Sequence, residues 1–567
     1  MGLLCAVVIV FGLIGVRLVD VQALGSDRYS KLGLDQRLQT IELAADRGSI
    51  FDRHGNDLAI SIERQTVYAD ARVVDDPDAY AVALAPLVGV SAPDLAAKLA
   101  QKDKAFVYVA RKVEDAVAEQ VRALDLPGIG FVAEPARMYP SNALAGPVVG
   151  FVGTDNNGLS GLESQYEELL AGRPGEVVVE RDPQGREIPS GERSVTPSKR
   201  GSDLVLTLDQ SLQYETERVL VEEVTNAGAL GGTAIVIDVQ TGDILSMATV
   251  DGATDEAPAH PAPPTASNRP VTDVYEPGST NKVITVSGAI EEGKVAPDTW
   301  FEVPMQITVD DVVFEDESPH PTSMMVRDIV RESSNVGTIN IGRTLGRVAF
   351  DSYLRAFGFG SPTGLDFPGE SVGIISPLED YNDTSMASMP IGNGLAVTAL
   401  QMLDVYTTIA NGGSTRPPRL VDAIIDADGN RVEEPVDPSQ PVVSPATAAA
   451  MTEMLEAVVA EGTGTNATIP GYRVAGKTGT ARKPPYENPP YKYVASFAGF
   501  APAEAPRFAA IVVLDEPGNG QYYGGEVAAP AFSRIMQDAL RLQRVPPSDP
   551  GSTAAAVADP STLNDSP

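Results

Sequence analysis

Three short motifs stand in one order along the 567 residues of this chain: Ser279-Thr280-Asn281-Lys282, Ser333-Ser334-Asn335 and Lys477-Thr478-Gly479-Thr480. Each is common by itself in a chain of this length. In series and at this wide spacing they describe a serine acyl-transfer site. A serine hydroxyl is a weak nucleophile at neutral pH, so Ser279 needs a base within hydrogen-bond reach. Lys282 can be that base. Glu276-Pro277-Gly278 followed by Val283-Ile284-Thr285-Val286 predicts a helix opening at Ser279, which puts positions i and i+3 on one face. An ammonium cannot accept a proton, so the lysine pKa must fall through burial or a neighbouring cation, for which Lys477 is the candidate. Ser333 is expected to shuttle protons towards the leaving amine, and Asn335 to hold the substrate backbone. The developing oxyanion needs two backbone N–H donors, and those of Ser279 and Thr480 are expected to serve.

The last motif has a second reading. Gly471-Tyr472-Arg473-Val474-Ala475-Gly476-Lys477-Thr478 satisfies the phosphate-binding pattern G-x-x-x-x-G-K-[ST], and Ala510-Ile511-Val512-Val513-Leu514-Asp515-Glu516 imitates a magnesium-holding acidic strand. A phosphate loop must open a helix, whose N-terminal N–H groups bind the anion. Here Pro484-Pro485 and Pro489-Pro490 follow, and two proline pairs forbid that helix. Tyr472 to Ala475 are instead expected to form a strand entering the Lys-Thr-Gly segment.

A net charge of −35 makes nucleic acid an unsuitable partner, because phosphate binding needs clustered Lys and Arg. One cysteine, Cys5, and three scattered histidines, His54, His260 and His320, give little support to a disulfide framework, a metal cluster or a Ser-His-Asp triad, and no cofactor or metal is expected. Leu3 to Val16 is an uninterrupted apolar run continued by Leu18, Val19 and Val21, short of the roughly 20 residues of a bilayer span. Val21-Gln22-Ala23 faintly resembles a signal cleavage site, yet no basic segment precedes the run. An uncleaved anchor is expected, with the rest of the chain outside the cytoplasm; a start assigned too late would account for the absent basic leader.

Elements follow from pattern. Arg47 to Ala59 reads as strand, His-Gly-Asn turn and strand; Tyr166 to Leu170 is helical; Arg181 to Arg186 is a turn. A boundary is expected near Ser198 to Ser202, before Leu204-Val205-Leu206-Thr207-Leu208. Asp209 should then cap an amphipathic helix through Leu212, Val219, Leu220 and Val224. Thr233 to Asp238 and Ile244 to Ala248 flank the hairpin turn Gln240-Thr241-Gly242-Asp243; Tyr493 to Phe500 should pair with Phe508 to Leu514; Ala531 to Leu542 is a helix. Strands at both ends of this region imply a sheet assembled from distant pieces and sandwiched by helices. Ala257 to Pro264 is expected as a loop, and Pro546 to Pro567 lacks the apolar content to fold.

Over nearly its whole length the chain resembles class B penicillin-binding proteins, the monofunctional peptidoglycan transpeptidases. Beyond the three motifs, Arg47 to Ala59, Arg137-Met138-Tyr139-Pro140, Gly158 to Glu163 and Arg181 to Arg186 resemble that family's pedestal signatures. Asn268 to Ser279 and Tyr522-Tyr523-Gly524-Gly525-Glu526-Val527-Ala528-Ala529-Pro530 look like its cell-division branch, with the elongation branch as nearest rival. The resemblance implies an α+β multidomain chain: an anchor over 1–24, a mixed dimerisation-like pedestal over 25–197, a transpeptidase domain with a serine β-lactamase-like, mainly antiparallel sheet over 198–545, and a disordered tail over 546–567. It implies that Ser279 attacks the penultimate D-alanine carbonyl of a peptidoglycan stem ending in D-Ala-D-Ala, and that an amine of a second stem resolves the acyl-enzyme. Thr478 and Thr480 would line the groove for the donor carboxylate beside Gly479 and Lys477, and Gly392-Asn393-Gly394 would lie near. β-Lactams would be trapped as slowly hydrolysed adducts. Implied too are a membrane-embedded glycan polymerase and other division proteins as partners, and a single-pass location in the bacterial plasma membrane at the septum, with the catalytic domain outside. A β-lactamase or β-lactam sensor would share the site, but Ser333-Ser334-Asn335 lacks the S-D-N form of class A enzymes and no deacylating Glu can be assigned. A non-catalytic division scaffold would not need the three motifs.

Overall fold

The computed structural model describes residues 1–20, 22, 37–142, 144–181, 188–191, 193–486 and 489–548. The turn expected at 182–186 and the tail beyond 548 lie outside the described residues. Helix α1 (Gly2–Val19) has a mean hydropathy of 2.6 and no buried residue. Its 18 residues extend about 27 Å, close to a hydrocarbon core of roughly 30 Å, so by length and composition it can cross a membrane.

The chain divides into two compact units: Met1–Gly48, Ser61–Ala136 and Glu168–Ser202 form the smaller, and Ser49–Ile60, Arg137–Glu167 and Asp203–Pro567 the larger. In the smaller unit, helices Pro77–Val88, Ala92–Leu99 and Asp115–Ala123 bury Leu84, Leu95, Leu99 and Val121 against Val67 and Val109 of a sheet. A separate antiparallel sheet joins Leu38–Leu43, Gly175–Glu180 and Arg193–Thr196.

The larger unit draws on two segments that precede residue 198. Ile50–Phe51 runs parallel to Asp203–Leu206, and Asp203 accepts the Ser49 N–H at 2.6 Å. The turn after Phe51 is tied by Asp52, which accepts from the N–H groups of His54 and Asn56, each at 2.8 Å. Arg137 and Glu163 form a salt bridge of 2.7 Å with side chains 1% and 0% exposed.

Helix α2 (Gln210–Ala227) starts as expected at Asp209, whose carboxylate accepts from Ser211 N at 2.9 Å and Leu212 N at 3.1 Å. The unit's main sheet has strands β1 (Gly231–Asp238), β2 (Ile244–Asp251), β3 (His260–Pro261), β4 (Ala475–Lys483), β5 (Lys492–Ala501) and β6 (Phe508–Asp515). Their order is β3-β2-β1-β6-β5-β4, antiparallel throughout. The segment expected as a loop at 257–264 thus contains a two-residue edge strand, and the strand expected at Tyr472 begins only at Ala475, because Tyr472 N turns back to Ile469 O. The phosphate-loop reading fails here: Lys477 lies inside a strand, paired with Ala498.

Every residue of β1 is buried, which explains why an antiparallel strand reads as a continuous apolar run: both faces are covered. Ala234, Val236, Val512, Leu514 and Phe497 pack with Leu212, Val219 and Leu220 of α2 and with Phe532, Ile535 and Met536 of a C-terminal helix, Ala529–Leu542. On the alternate face lies a helix, Ala399–Ala410, in which all residues are buried and which starts with a Thr398/Gln401 capping box.

Candidate active site

Ser279 sits in a 3-10 turn, Gly278–Asn281, that feeds helix α3 (Lys282–Glu291). The two middle residues of the motif anchor this turn. Thr280 Oγ1 donates to Pro277 O at 2.8 Å, Asn281 Nδ2 donates to Met389 O at 2.9 Å, and Tyr406, from the buried helix, donates its hydroxyl to Thr280 O at 3.0 Å. Ser279 is left half-exposed above, and Lys282 is only 1% exposed below. Gly392 backs the turn: its carbonyl accepts the Gly278 N–H at 3.0 Å, and a Cβ on it would stand 2.0 Å from Gly278 O. Its neighbours are clamped by Glu276, which accepts from Gly394 N at 2.9 Å and Asn393 Nδ2 at 3.2 Å.

The second motif opens helix α4 (Asn335–Leu345). Ser334 is its N-cap, accepting the Gly337 N–H at 2.9 Å, so the middle position of this motif serves the helix start. Ser333 precedes it in the left-handed region, φ 59°, and this turns its side chain and carbonyl towards the lysines. Lys282 Nζ donates to Ser333 O at 2.6 Å and Asn335 Oδ1 at 2.8 Å and lies 3.3 Å from Ser333 Oγ. Lys477 Nζ lies 2.9 Å from the same Oγ. One hydroxyl therefore joins two buried amines.

Burial drives Lys282 down to about 7, against the opposing pull of Asp316 and Glu317. Burial also holds Lys477 well below the ordinary ammonium range, helped by the Lys282 charge. The expected influence runs in the other direction: removal from water, rather than a Lys477 cation, is what lowers Lys282.

The third motif lies on β4, the outermost strand of the sheet. A Cβ at Gly278 would stand 3.1 Å from Thr480 O, so that carbonyl points off the sheet edge towards the serine turn. The N–H of a strand residue points to the same side as its carbonyl, so Thr480 N is directed there too. Thr478 Oγ1 is bonded to Thr463 Oγ1 at 2.8 Å, and Thr480 Oγ1 accepts the Gly524 N–H at 3.0 Å. Ser279, Ser333, Asn335, Asn393, Thr478 and Thr480 line one cleft of about 590 Å³. A nucleophile, a depressed-pKa amine, a relay hydroxyl and unpaired strand-edge donors in one cleft can perform acyl transfer.

Residues 232–537 match the model of the penicillin-binding protein transpeptidase domain, and residues 42–206 that of the penicillin-binding protein dimerisation domain. The chain belongs to the penicillin-binding protein family. It is 36% identical to penicillin-binding protein PbpB of Mycobacterium tuberculosis, over 89% of this chain and 79% of that one. It is 34% identical to the peptidoglycan D,D-transpeptidase FtsI of Escherichia coli, covering 94% and 89% of the two chains. Among solved structures, a peptidoglycan synthetase from Bifidobacterium adolescentis matches with a TM-score of 0.73 at 29% identity, over 91% of this chain and 98% of that one. Penicillin-binding protein 3 of Mycobacterium tuberculosis complexed with aztreonam matches with a TM-score of 0.68 at 30% identity, over 90% and 99%.

The cleft of this family member also contains residues that the motifs did not flag. Tyr493 and Tyr522 stack at 4.2 Å and Tyr522 and Tyr523 at 4.5 Å along one wall, with Arg482 beside them. Asp316 and His320 also line the cleft, with Asp316 bonded to Ser334. Neither group follows a spacing rule: Arg482 and Tyr493 come from β4 and β5 and meet the Tyr522-Tyr523 pair beyond β6, and Asp316 and His320 reach Ser334 from one loop, contacts made only in the folded chain.

Proposed function

We propose that this chain is a membrane-anchored serine D,D-transpeptidase that cross-links peptidoglycan stems during septal wall synthesis, and that β-lactams inhibit it as covalent adducts on Ser279. The convergence of Lys282 and Lys477 on Ser333 Oγ, at 3.3 and 2.9 Å, carries the reading. A neutral Lys282 has two hydrogens and one lone pair. With the hydrogens given to Ser333 O and Asn335 Oδ1, the lone pair is free for the Ser279 proton.

The donor stem lies along the edge of β4 as an added strand, its carboxylate at Lys477, Thr478 and Thr480. Ser279 Oγ bonds to the penultimate D-alanine carbonyl carbon while the N–H groups of Ser279 and Thr480 hold the oxyanion. The C–N bond to the terminal D-alanine then breaks, and its nitrogen takes, by way of Ser333, the proton that Lys282 accepted from Ser279. The acceptor amine attacks the ester and gives a proton to Lys282, a new amide forms as the ester C–O bond breaks, and Lys282 returns that proton to Ser279. The relatives named for peptidoglycan transpeptidation, and the related structure holding aztreonam, support this assignment.

Residues 1–24 serve as the anchor, 25–197 as the pedestal apart from Ser49–Ile60 and Arg137–Glu167, which join 198–545 in the catalytic unit, and 546–567 as a tail; the pedestal meets a membrane-embedded glycan polymerase and other division proteins at the septum. Incubating the purified chain with a fluorescent penicillin and mapping the labelled peptide tests the chemistry. Label on Ser279, lost in Ser279→Ala with an unchanged unfolding midpoint, is the expected result; label that persists in the variant refutes it. A fluorescent fusion that follows the lateral wall instead of the septum would favour the elongation branch.

A further inference from the structure

One titratable pair in the cleft takes no part in the acyl transfer described above. Asp316 leads the loop after the hairpin Gln306–Val309 and Val312–Glu315, and its side chain is 3% exposed. It accepts from three groups at the start of α4: the Ser334 hydroxyl at 2.6 Å, the Val336 N–H at 3.1 Å, and the Asn335 N–H. These are the residues that place Ser333 and Asn335 around Lys282.

His320, with a side chain 5% exposed, stands behind this carboxylate: Nε2 is 2.7 Å from Asp316 Oδ2 and Nδ1 is 2.8 Å from Pro321 O. A peptide carbonyl can only accept. Asp316 already acts as acceptor for three donors at the start of α4, and towards the ring its oxygen accepts as well. Both ring nitrogens therefore need hydrogens, which a neutral imidazole cannot supply.

We propose that His320 is a positioning residue: as an imidazolium bridging Asp316 and the Pro321 carbonyl, it locks the loop that sets Ser333 and Asn335 around Lys282. The inference rests on the transpeptidase reading for its catalytic consequence. Burial alone would lower the histidine pKa, but the Pro321 carbonyl and Asp316, with Glu332 at the end of the preceding helix, hold it above the ordinary 6.5. Other charges at this end of the cleft are Glu317, beside Asp316, and Lys282 and Lys477 across from it. As pH rises through the raised histidine pKa, one of the two bonds is lost and the loop loosens. Acylation then declines on its alkaline side through His320 and on its acid side through Lys282.

The test uses the detergent-solubilised full chain and a fluorescent penicillin, with acylation rate followed against pH. In His320→Gln, which carries no charge, acylation at the optimum should fall by about 10- to 100-fold, the scale of a small misplacement of catalytic groups. Its alkaline limb should vanish while the acid limb stays. Nitrogen NMR of ¹⁵N-histidine-labelled wild type, assigned against the variant, should show both His320 nitrogens protonated at neutral pH. A neutral tautomer, or a variant with the wild-type rate and profile, overturns the proposal. If His320→Gln fails to fold, the wild-type spectrum assigned against His54→Gln and His260→Gln decides. Failure of the wild type itself to acylate at Ser279 would defeat the transpeptidase reading instead, and the NMR result would still stand by itself.

Discussion

In the proposed mechanism the base is Lys282, whose pKa burial lowers, and its titration should set the pH response. The Lys282 pKa falls from 10.5 to about 7 in the fold. Acylation should therefore rise as pH increases through about 7, measured as the rate of penicillin labelling on the acid side of the optimum. Linkage gives the sign for stability: between about 7 and 10.5 the unfolded chain binds this proton and the folded chain does not, so Lys282 contributes an increase of stability with pH across that window. Lys282→Arg should lower acylation by about 10²- to 10⁴-fold, the usual worth of a general base, because arginine stays charged. Near-native labelling in that variant would remove Lys282 from the role of base.

At the scale of elements, the site depends on close backbone packing around the serine turn. Gly392 has φ +86° and no space for a side chain against Gly278 O. Gly392→Ala should therefore cost about 1–3 kcal/mol of stability through backbone strain and shift the Ser279 turn, with acylation down at least tenfold. A variant that acylates normally would show that the turn is set elsewhere. The cap of α2 offers a contrast. Asp209→Ala removes the carboxylate that holds Ser211 N and Leu212 N, a loss of about 1 kcal/mol, and should lower the unfolding midpoint while leaving acylation of the folded protein nearly intact.

At the scale of the whole molecule, the catalytic unit is not a contiguous stretch. Ser49–Ile60 and Arg137–Glu167 belong to it: the Ile50–Phe51 strand lies beside Asp203–Leu206, and Glu217 on α2 accepts the Ala145 N–H at 2.8 Å. A chain begun at Ser198 should be markedly less stable than the full chain in denaturant melts, because it exposes the edge of Asp203–Leu206 and leaves Glu217 without that donor. Equal stability of the two would mean that these segments contribute nothing to the unit. The acyl-enzyme should be long-lived, since a transpeptidase must exclude water until an amine arrives. Intact mass after one addition of penicillin should show the adduct persisting for many minutes; release within seconds would make the protein a β-lactamase.

Much of this was decided by local sequence. The Asp209 cap, the β1–β2 hairpin and the β5–β6 pair follow from capping, turn chemistry and apolar runs, all of which act over a few residues. The three motifs named side chains that the fold brings together around Ser333 Oγ and one cleft, because acyl transfer admits few residue types at those spacings. Tertiary structure decided what depends on distant chain segments. That Lys282 is dry enough to be a base follows from being 1% exposed, and no neighbour in sequence dictates it. That β4 is an edge strand, free to receive a substrate strand, follows from the sheet order. That Asp316 and His320 brace α4 follows from a loop whose partners lie some 20 residues on, a placement that only the packed chain could determine.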